Sequence, residues 1–429
     1  MAFAKTAVAA PPRKQRRILR SLGLGLITGA ADDDCSAIGT FAQAGAKFGY
    51  AFLWMAPLLL PMMVSVVYLS GKLGQVTGEG LFAVIRRHYS RPFLYLVLVG
   101  AVVGNTIEAG ADIGAMAAAL QMFIPVSAKI IAVVIALTIL VVQIWGSYTF
   151  IRNTLRVLAL SLLAYVVSAF LAHPDWPQVA KSTLLPTVRS GKDFLAMTVA
   201  MIGASLSAYI YTWQSNEEVE EKIAAGQSEL HDRKGTTRAE LKTSLWDVIV
   251  GMVFSSSIMY FVVLATGATL FHAGKTEITS AADAAQALRP FAGHVAGLLF
   301  ALGMIGVGAL AVPVMTTGAA YDLCQSFGWE YGLSRKPWKA KGFYIAIIFF
   351  SGVAVGLNFT GINPMKALVF AGVVQGFSTP PLLLLILLMT NRQRIMGQRT
   401  NHRVMNVLGW ATTVVIFLAS AALLIRWVT

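Results

Sequence analysis

Polar and apolar residues in this chain are sorted into long blocks, with no short period that would leave one wet face on every element. Apolar stretches of about 20 residues recur from end to end, each long enough to cross a bilayer core as a helix. They predict spans over 20–46, 50–70, 94–122, 126–147, 153–172, 194–216, 245–270, 291–320, 343–358, 364–390 and 404–425. That is an all-α integral membrane protein of about eleven transmembrane helices. No polar stretch between the spans is long enough to fold as a separate soluble domain. The expected organisation is a basic tail over 1–19 followed by one transmembrane domain over 20–429.

Composition agrees. Of 429 residues, 56% are hydrophobic and 13% charged, where an average soluble domain carries roughly 25% charged residues. The net charge of +14 raises nucleic acid as a partner, but the distribution of charge excludes it. With the N-terminus inside, about 25 of the 34 Lys and Arg fall on cytoplasmic segments and about 9 outside, as the positive-inside rule requires. Arg13, Lys14, Arg16 and Arg17, then Arg86, Arg87 and Arg91, then Arg392, Arg394, Arg399 and Arg403 mark the inner side. A multi-pass protein of the cell membrane (inner or plasma) with a cytoplasmic N-terminus and an external C-terminus is expected. Cys35 and Cys324 are the only cysteines and supply neither a disulfide framework nor a zinc site. Arg16-Arg17, the apolar run Leu22–Gly29 and then Ala30-Ala31 imitate a twin-arginine signal peptide. Ten spans follow, however, and cleavage would cut through the most informative motif of the chain.

That motif lies in the first span. Asp32, Asp33 and Asp34 follow Arg20 by about 12–14 residues, roughly 20 Å along a helix and so near mid-bilayer. An ionised Asp at that depth costs at least about 2.5 kcal/mol, and three adjacent ones repel one another. Gly29, Ser36 and Gly39 flank them and tolerate a break. The simplest arrangement is a discontinuous helix, 20–30 and 36–48, whose acidic hinge lines an aqueous cavity. The alternative, a structural turn with its carboxylates paired to buried Lys or Arg, lacks partners because the spans contain almost no basic residues.

The sixth span carries a second candidate interruption, Gly203-Ala204-Ser205-Leu206-Ser207-Ala208-Tyr209. Ser in a membrane helix commonly bonds back to its own carbonyls or packs closely; the position is the stronger signal. Five spans separate the two breaks, as in inverted repeats over 20–172 and 194–390, with 404–425 as an additional helix. On the third span, Glu108 and Asp112 are four residues apart and share a helix face, with Asn105 three before Glu108. They are candidates for cation binding, proton relay or orientation of the hinge, or for a structural polar network. Gln214, Ser215 and Asn216 close the sixth span, and Glu217, Glu218, Glu220 and Glu221 read as a solvated helix end.

The run Gly29-Ala30-Ala31-Asp32-Asp33-Asp34-Cys35-Ser36-Ala37-Ile38-Gly39-Thr40, with Gln43-Ala44-Gly45 and Phe48-Gly49-Tyr50 after it, resembles the first helix of the NRAMP divalent-metal transporters. That family has Asp-Pro-Gly-Asn in the hinge, and a Thr and Gln-Ala-Gly at the same downstream spacing. The likeness extends over nearly the whole chain and returns at Met389-Thr390-Asn391-Arg392 and Ile395-Met396-Gly397. It implies the LeuT fold, alternating access and a substrate site between helices one and six. Asp34 falls on the family's metal-binding Asp, and Ala204 on a residue that offers its backbone carbonyl. Asp112 matches a third-helix Asp. Cys35, Ser36 and Ala37 replace Pro, Gly and Asn, so the Asn ligand is lost at Ala37. Ser207 and Ala208 stand in place of Met-Pro, Gln214 in place of a His linked to proton movement, and Ala115 in place of a Glu. Asp32, Asp33 and Glu108 are additions.

Thioether sulfur favours soft metals, whereas carboxylate, hydroxyl, carbonyl and water oxygens favour Mg²⁺, Ca²⁺ or Mn²⁺. Asp34 with Asp33 or Asp32, Ser207 and the Ala204 carbonyl would make an all-oxygen site for a partly hydrated hard cation. The expected function is secondary transport of divalent cations by alternating access, with selectivity shifted towards Mn²⁺ and Mg²⁺ and with weak or altered proton coupling; a relay rerouted through Glu108 and Asp112 that preserves coupling is the other outcome. The cation is cargo, protons are the candidate coupling ion, and no cofactor or obligate protein partner is implied. A carrier of the same fold for a metal chelate or organic solute is the alternative. An Mg²⁺-dependent membrane enzyme would need a second acidic motif facing the first, and none with that spacing is present; a channel would need a continuous polar pore.

Overall fold

The computed structural model describes residues 24–145, 162–333 and 335–428, and these residues are helical and strand-free apart from short connections. The basic tail and the N-terminal part of the predicted fifth span lie outside the described residues. The first span is two helices, α1 (Leu24–Asp32) and α2 (Cys35–Phe48). They are followed by α3 (Met55–Thr77), α4 (Leu81–His88), α5 (Arg91–Gln121), α6 (Ala128–Trp145), α7 (Leu163–Leu171) and α8 (Trp176–Leu184). The sixth span is again two helices, α9 (Lys192–Ser205) and α10 (Ala208–Ala224). Then come α11 (Arg238–Thr266), α12 (Ala296–Phe327), α13 (Lys341–Leu357), α14 (Pro364–Asn391) and α15 (Arg403–Val428).

Among the described residues, seven helical stretches are long and apolar enough to cross a membrane, and α6 and α13 are shorter apolar helices. The helix ends follow local chemistry. Gly78 (φ 70°) and Gly328 (φ 74°) take the left-handed conformation that stops α3 and α12, a conformation Gly adopts without a Cβ clash. Thr237 and Glu240 form a reciprocal capping box at the start of α11, satisfying two N–H groups that have no partner within the helix.

Two groups of helices share the core. The broken helix α1/α2 packs on α11, and α3 packs on both α10 and α11; α5, α6, α12 and α13 pack on one another. Helix α14 bridges them by touching α9, α5 and α2, and α15 covers α9 and α14. The outward surfaces are apolar: Leu96, Val99 and Val103 on α5, Val134 and Leu137 on α6, Val414 and Leu418 on α15 are exposed. In a bilayer such side chains face lipid, while every backbone polar group must be satisfied internally.

Close approach of backbones replaces the hydrophobic effect as the packing device. Gly29 was expected to loosen the first helix near its break. Helix α1 instead runs through it to Asp32, and Gly29 is where α1 lies directly on the backbone of Gly251 in α11. Gly203 does the same for α9 against Gly372 and Gly376 of α14. A Cβ at either glycine meets backbone, which cannot turn aside. Gly352 on α13 has open space around it. Gly29→Val should therefore lower stability by about 1–3 kcal/mol and Gly352→Val should change it little, as read by thermal unfolding of the two purified variants in detergent.

Candidate substrate-binding site at the two helix breaks

Each break leaves backbone N–H and C=O groups without helical partners, and inside a membrane protein these must be satisfied by other groups. At the first break Asp34 has an extended backbone (φ −69°, ψ −179°) and caps α2, its Oδ1 accepting the N–H of Ala37 at 2.6 Å. Its carbonyl accepts the N–H of Ile38 at 3.0 Å. Its second oxygen, Oδ2, faces the hydroxyl of Tyr209 at 2.9 Å, and that hydroxyl also lies 2.7 Å from the carbonyl of Ala31. Tyr209, in the first turn of α10, thus staples both ends of the first break to the second.

At the second break Ser207 holds the capping position of α10, but its hydroxyl does not cap. It lies 2.9 Å from the carbonyl of Gly203 and 3.2 Å from Oε1 of Glu108, with the Ala204 carbonyl at 3.5 Å. Gln375 of α14 takes over the cap: its Oε1 accepts the N–H of Ala208 at 3.3 Å, and its amide donates to Oε2 of Glu108 at 2.6 Å and to Asn105 at 3.3 Å. Asp112 turns to the first break, where its Oδ1 accepts both the N–H (2.9 Å) and the hydroxyl (2.8 Å) of Ser36. Asp34 and Asp112 therefore both sit at the start of α2, the end of a helix that attracts negative charge.

The three adjacent aspartates divide. Asp32 and Asp33 both receive the hydroxyl of Ser255 on α11, at 2.8 and 3.1 Å, and each keeps one oxygen without a partner among the described residues. Asp34 alone faces Tyr209. Of the residues singled out in the sequence, the structure brings Asp34, Ala37, Ser207, Ala204, Glu108 and Asp112 to the junction of the breaks, and sets Asp32 and Asp33 on its α11 side. Gln214 lies on another face of α10, receiving the hydroxyl of Thr28 at 2.7 Å and donating to Glu218 at 3.3 Å.

Glu217, Glu218 and Glu220 correct the reading of a solvated helix end. Helix α10 continues to Ala224, Glu217 and Glu218 are buried, Ser244 donates to Glu218 at 2.7 Å, and Tyr321 donates to Glu220 at 2.8 Å. The donors come from α11 and α12, so a run of four glutamates could not disclose them. Tyr209, Gln375 and Ser255 are the site residues that sequence reasoning missed. The available signal was weak: a lone amide between Gly372 and Gly376, a tyrosine two residues past a break, and a serine in the run Ser255-Ser256-Ser257.

Asp32, Asp33, Asp34, Glu108 and Asp112 are all buried, and none takes part in an ion pair among the described residues. Buried carboxylates without a cationic partner are strongly disfavoured as anions. Their junction is a receptor for positive charge, be it a cation or protons. No three His, Cys, Asp or Glu side chains converge as a ready-made metal shell among the described residues, so a metal bound here would draw on hydroxyl, carbonyl and water oxygens as well.

Comparison with known proteins agrees with this geometry. The profile of the Nramp family, described as natural resistance-associated macrophage protein-like, matches residues 25–426. The divalent metal cation transporter MntH of Klebsiella pneumoniae is 25% identical over 414 residues, covering 94% of each chain. The manganese transporter of Eremococcus coleocola superposes with a TM-score of 0.73 at 18% identity, covering 96% of this chain and 87% of that one. Mhp1, a nucleobase-cation-symport-1 family transporter in a closed conformation, superposes with a TM-score of 0.58 at 13% identity, covering 95% and 92%. The all-α transporter fold is shared over nearly the full length.

Because Asp34 is both a buried charge and a helix cap, its two roles separate by substitution. Asn caps as well as Asp does, whereas Ala does not, at about 1 kcal/mol. Asp34→Asn should unfold at or above the temperature of the parent and Asp34→Ala below Asp34→Asn by that margin, measured on both variants without added metal.

Proposed function

We propose, because this chain belongs to the Nramp family, that it is a secondary transporter moving divalent metal cations by alternating access, with selectivity shifted towards hard cations such as Mn²⁺ and Mg²⁺. The observation that carries this is the buried carboxylate of Asp34, held between the two helix breaks by Ala37 and Tyr209 with no basic partner among the described residues. Relatives named as a divalent metal cation transporter and a manganese transporter support the substrate class.

The hard-cation preference follows from the donor set. Ser207 offers a hydroxyl, and Ala37 offers no side-chain ligand. Cys35, the sulfur in the hinge, turns its thiol 3.3 Å to the carbonyl of Met304 on α12, which leaves oxygen donors around Asp34. Proton coupling is weak or altered, because Gln214 cannot titrate and Ala115 supplies no carboxylate. Glu108 and Asp112 also serve different breaks, the one bound to Ser207 and Gln375 and the other to Ser36. The repeats run over 20–172 and 194–390 with 404–425 added, and the charge pattern sets the N-terminus in the cytoplasm and the C-terminus outside.

Titration of the purified protein with Mn²⁺, Mg²⁺ and Cd²⁺ tests the assignment. Mn²⁺ and Mg²⁺ should bind without a strong preference for Cd²⁺, Asp34→Asn should lose binding, and Ser207→Met with Ala37→Asn should move the preference towards Cd²⁺. Tight Cd²⁺ binding by the parent would overturn the oxygen site; absence of any free divalent-cation binding would replace it with the chelate or organic solute. Proteoliposomes loaded with a pH dye test coupling. Proton flux far below metal flux is expected, and robust proton movement that scales with metal flux and vanishes in Glu108→Gln would overturn weak coupling.

A further inference from the structure

Helix α12 carries a carboxylate that the transport site does not use. Asp322 is fully buried, and neither of its oxygens has a hydrogen-bond partner among the described residues. It lies five residues before the end of α12, and its neighbours along the helix, Tyr321 and Gln325, line a cavity of about 740 Å³ at that end of the bundle. Asn216 and Glu220 of α10 and Arg86 of α4 line the same cavity.

At the helical repeat, Gly318, Asp322 and Gln325 share one face of α12. That face meets α10 and α4: a Cβ on Gly318 would touch Thr212, and Gln325 donates to Asn216 at 2.6 Å and accepts from the N–H of Ala83 at 3.2 Å. Along α10, Tyr209, Thr212, Asn216 and Glu220 likewise share a face, which runs from Asp34 to the cavity. Asp322 therefore lies beside the polar track that joins the transport site to the cavity, behind the Asn216–Gln325 amide pair.

Among the described residues, no charged or titratable group of the packed elements hydrogen-bonds to the Asp322 carboxylate. On α4, Arg86 packs on Gly328, Arg87 pairs with Glu79, and His88 bonds to the carbonyl of Val84. On α10, Glu220 takes the Tyr321 hydroxyl and Glu217 is buried without a bond to Asp322. On α5, Tyr95 stacks on Phe327, while Glu108 and Asp112 belong to the helix breaks. On α13, Tyr344 bonds to the carbonyl of Arg335 and Lys341 is exposed; α6 has Lys129 at its far end. Tyr331 in the cavity wall is pushed up to about 12 by burial and stays neutral.

A metal ion needs several oxygen ligands, and neither carboxylate oxygen of Asp322 has a hydrogen-bond partner among the described residues. A proton needs none. We propose that Asp322 is a proton-binding site, protonated while α12 is packed on α10 and α4, and deprotonated when water from the cavity reaches it. The proton leaves to, and returns from, that water. This rests on the transporter reading above and gives its altered coupling a place outside helices one, three and six. The closed state binds the proton and the hydrated state releases it, so acid on the cavity side favours closure and slows release of cargo.

The test uses the full-length protein. Infrared difference spectra across a pH jump should show the C=O band of a protonated carboxylic acid that is missing in Asp322→Asn and displaced in Asp322→Glu. In proteoliposomes, Mn²⁺ uptake by the parent should rise with internal pH. Asp322→Asn, fixed in the neutral form, should lose that dependence while binding Mn²⁺ like the parent, and Asp322→Glu should keep it. An unchanged set of carboxylic-acid bands in both variants, or full dependence on internal pH in Asp322→Asn, would overturn the proposal. Failure of the parent to bind any divalent cation would instead overturn the transporter reading, and the infrared result would still decide whether Asp322 carries a proton.

Discussion

Carboxylates buried in a low-dielectric bundle, without cationic partners among the described residues, are the constraint on which this structure depends. Asp32, Asp33, Asp34, Glu108 and Asp112 crowd the junction of two interrupted helices, and among the described residues their side chains bond to hydroxyls, amides and backbone N–H groups. Neutral donors soften such charges without cancelling them. The fold keeps a standing demand for positive charge at its centre, and the helix breaks supply both the donors and the exposed carbonyls that a cation would share.

The breaks and the network are mutually dependent. Without Tyr209 and Gln375, the ends of α1 and α10 would hold unsatisfied backbone groups inside the bundle, which membrane proteins do not tolerate. Without the breaks, the Ala31 carbonyl and the Ala208 N–H would not be free for those side chains to bind. Glycine contacts set the frame: Gly29 on Gly251 and Gly203 on Gly372 and Gly376 bring α1 to α11 and α9 to α14 closely enough for short polar side chains to reach across. Polar groups are thus concentrated where α1/α2 and α9/α10 meet α5 and α14, the junction at which the proposed transport function would hold its cargo.

Much of the candidate site was legible in the chain because membrane burial makes charge conspicuous. Three aspartates at mid-span cannot be ordinary surface, so Asp34 and the hinge were visible, as was the interruption near Ser207. The glutamates after Asn216 show the reverse. At the end of a span, solvated and buried charge look alike, and only the packing of Ser244 and Tyr321 on α10 distinguishes them.

The sequence by itself determined the membrane class, the helical fold and the place of the acidic break, because hydropathy and helix length are local properties written in consecutive residues. Tertiary structure alone decided which carboxylate takes which partner. Asp32 and Asp33 turn to Ser255 while Asp34 turns to Tyr209, Glu108 meets Gln375, and the Asp322 carboxylate has no hydrogen-bond partner among the described residues. These choices depend on side chains well over a hundred residues away, brought within 3 Å or so by helix crossings that no spacing in the chain encodes.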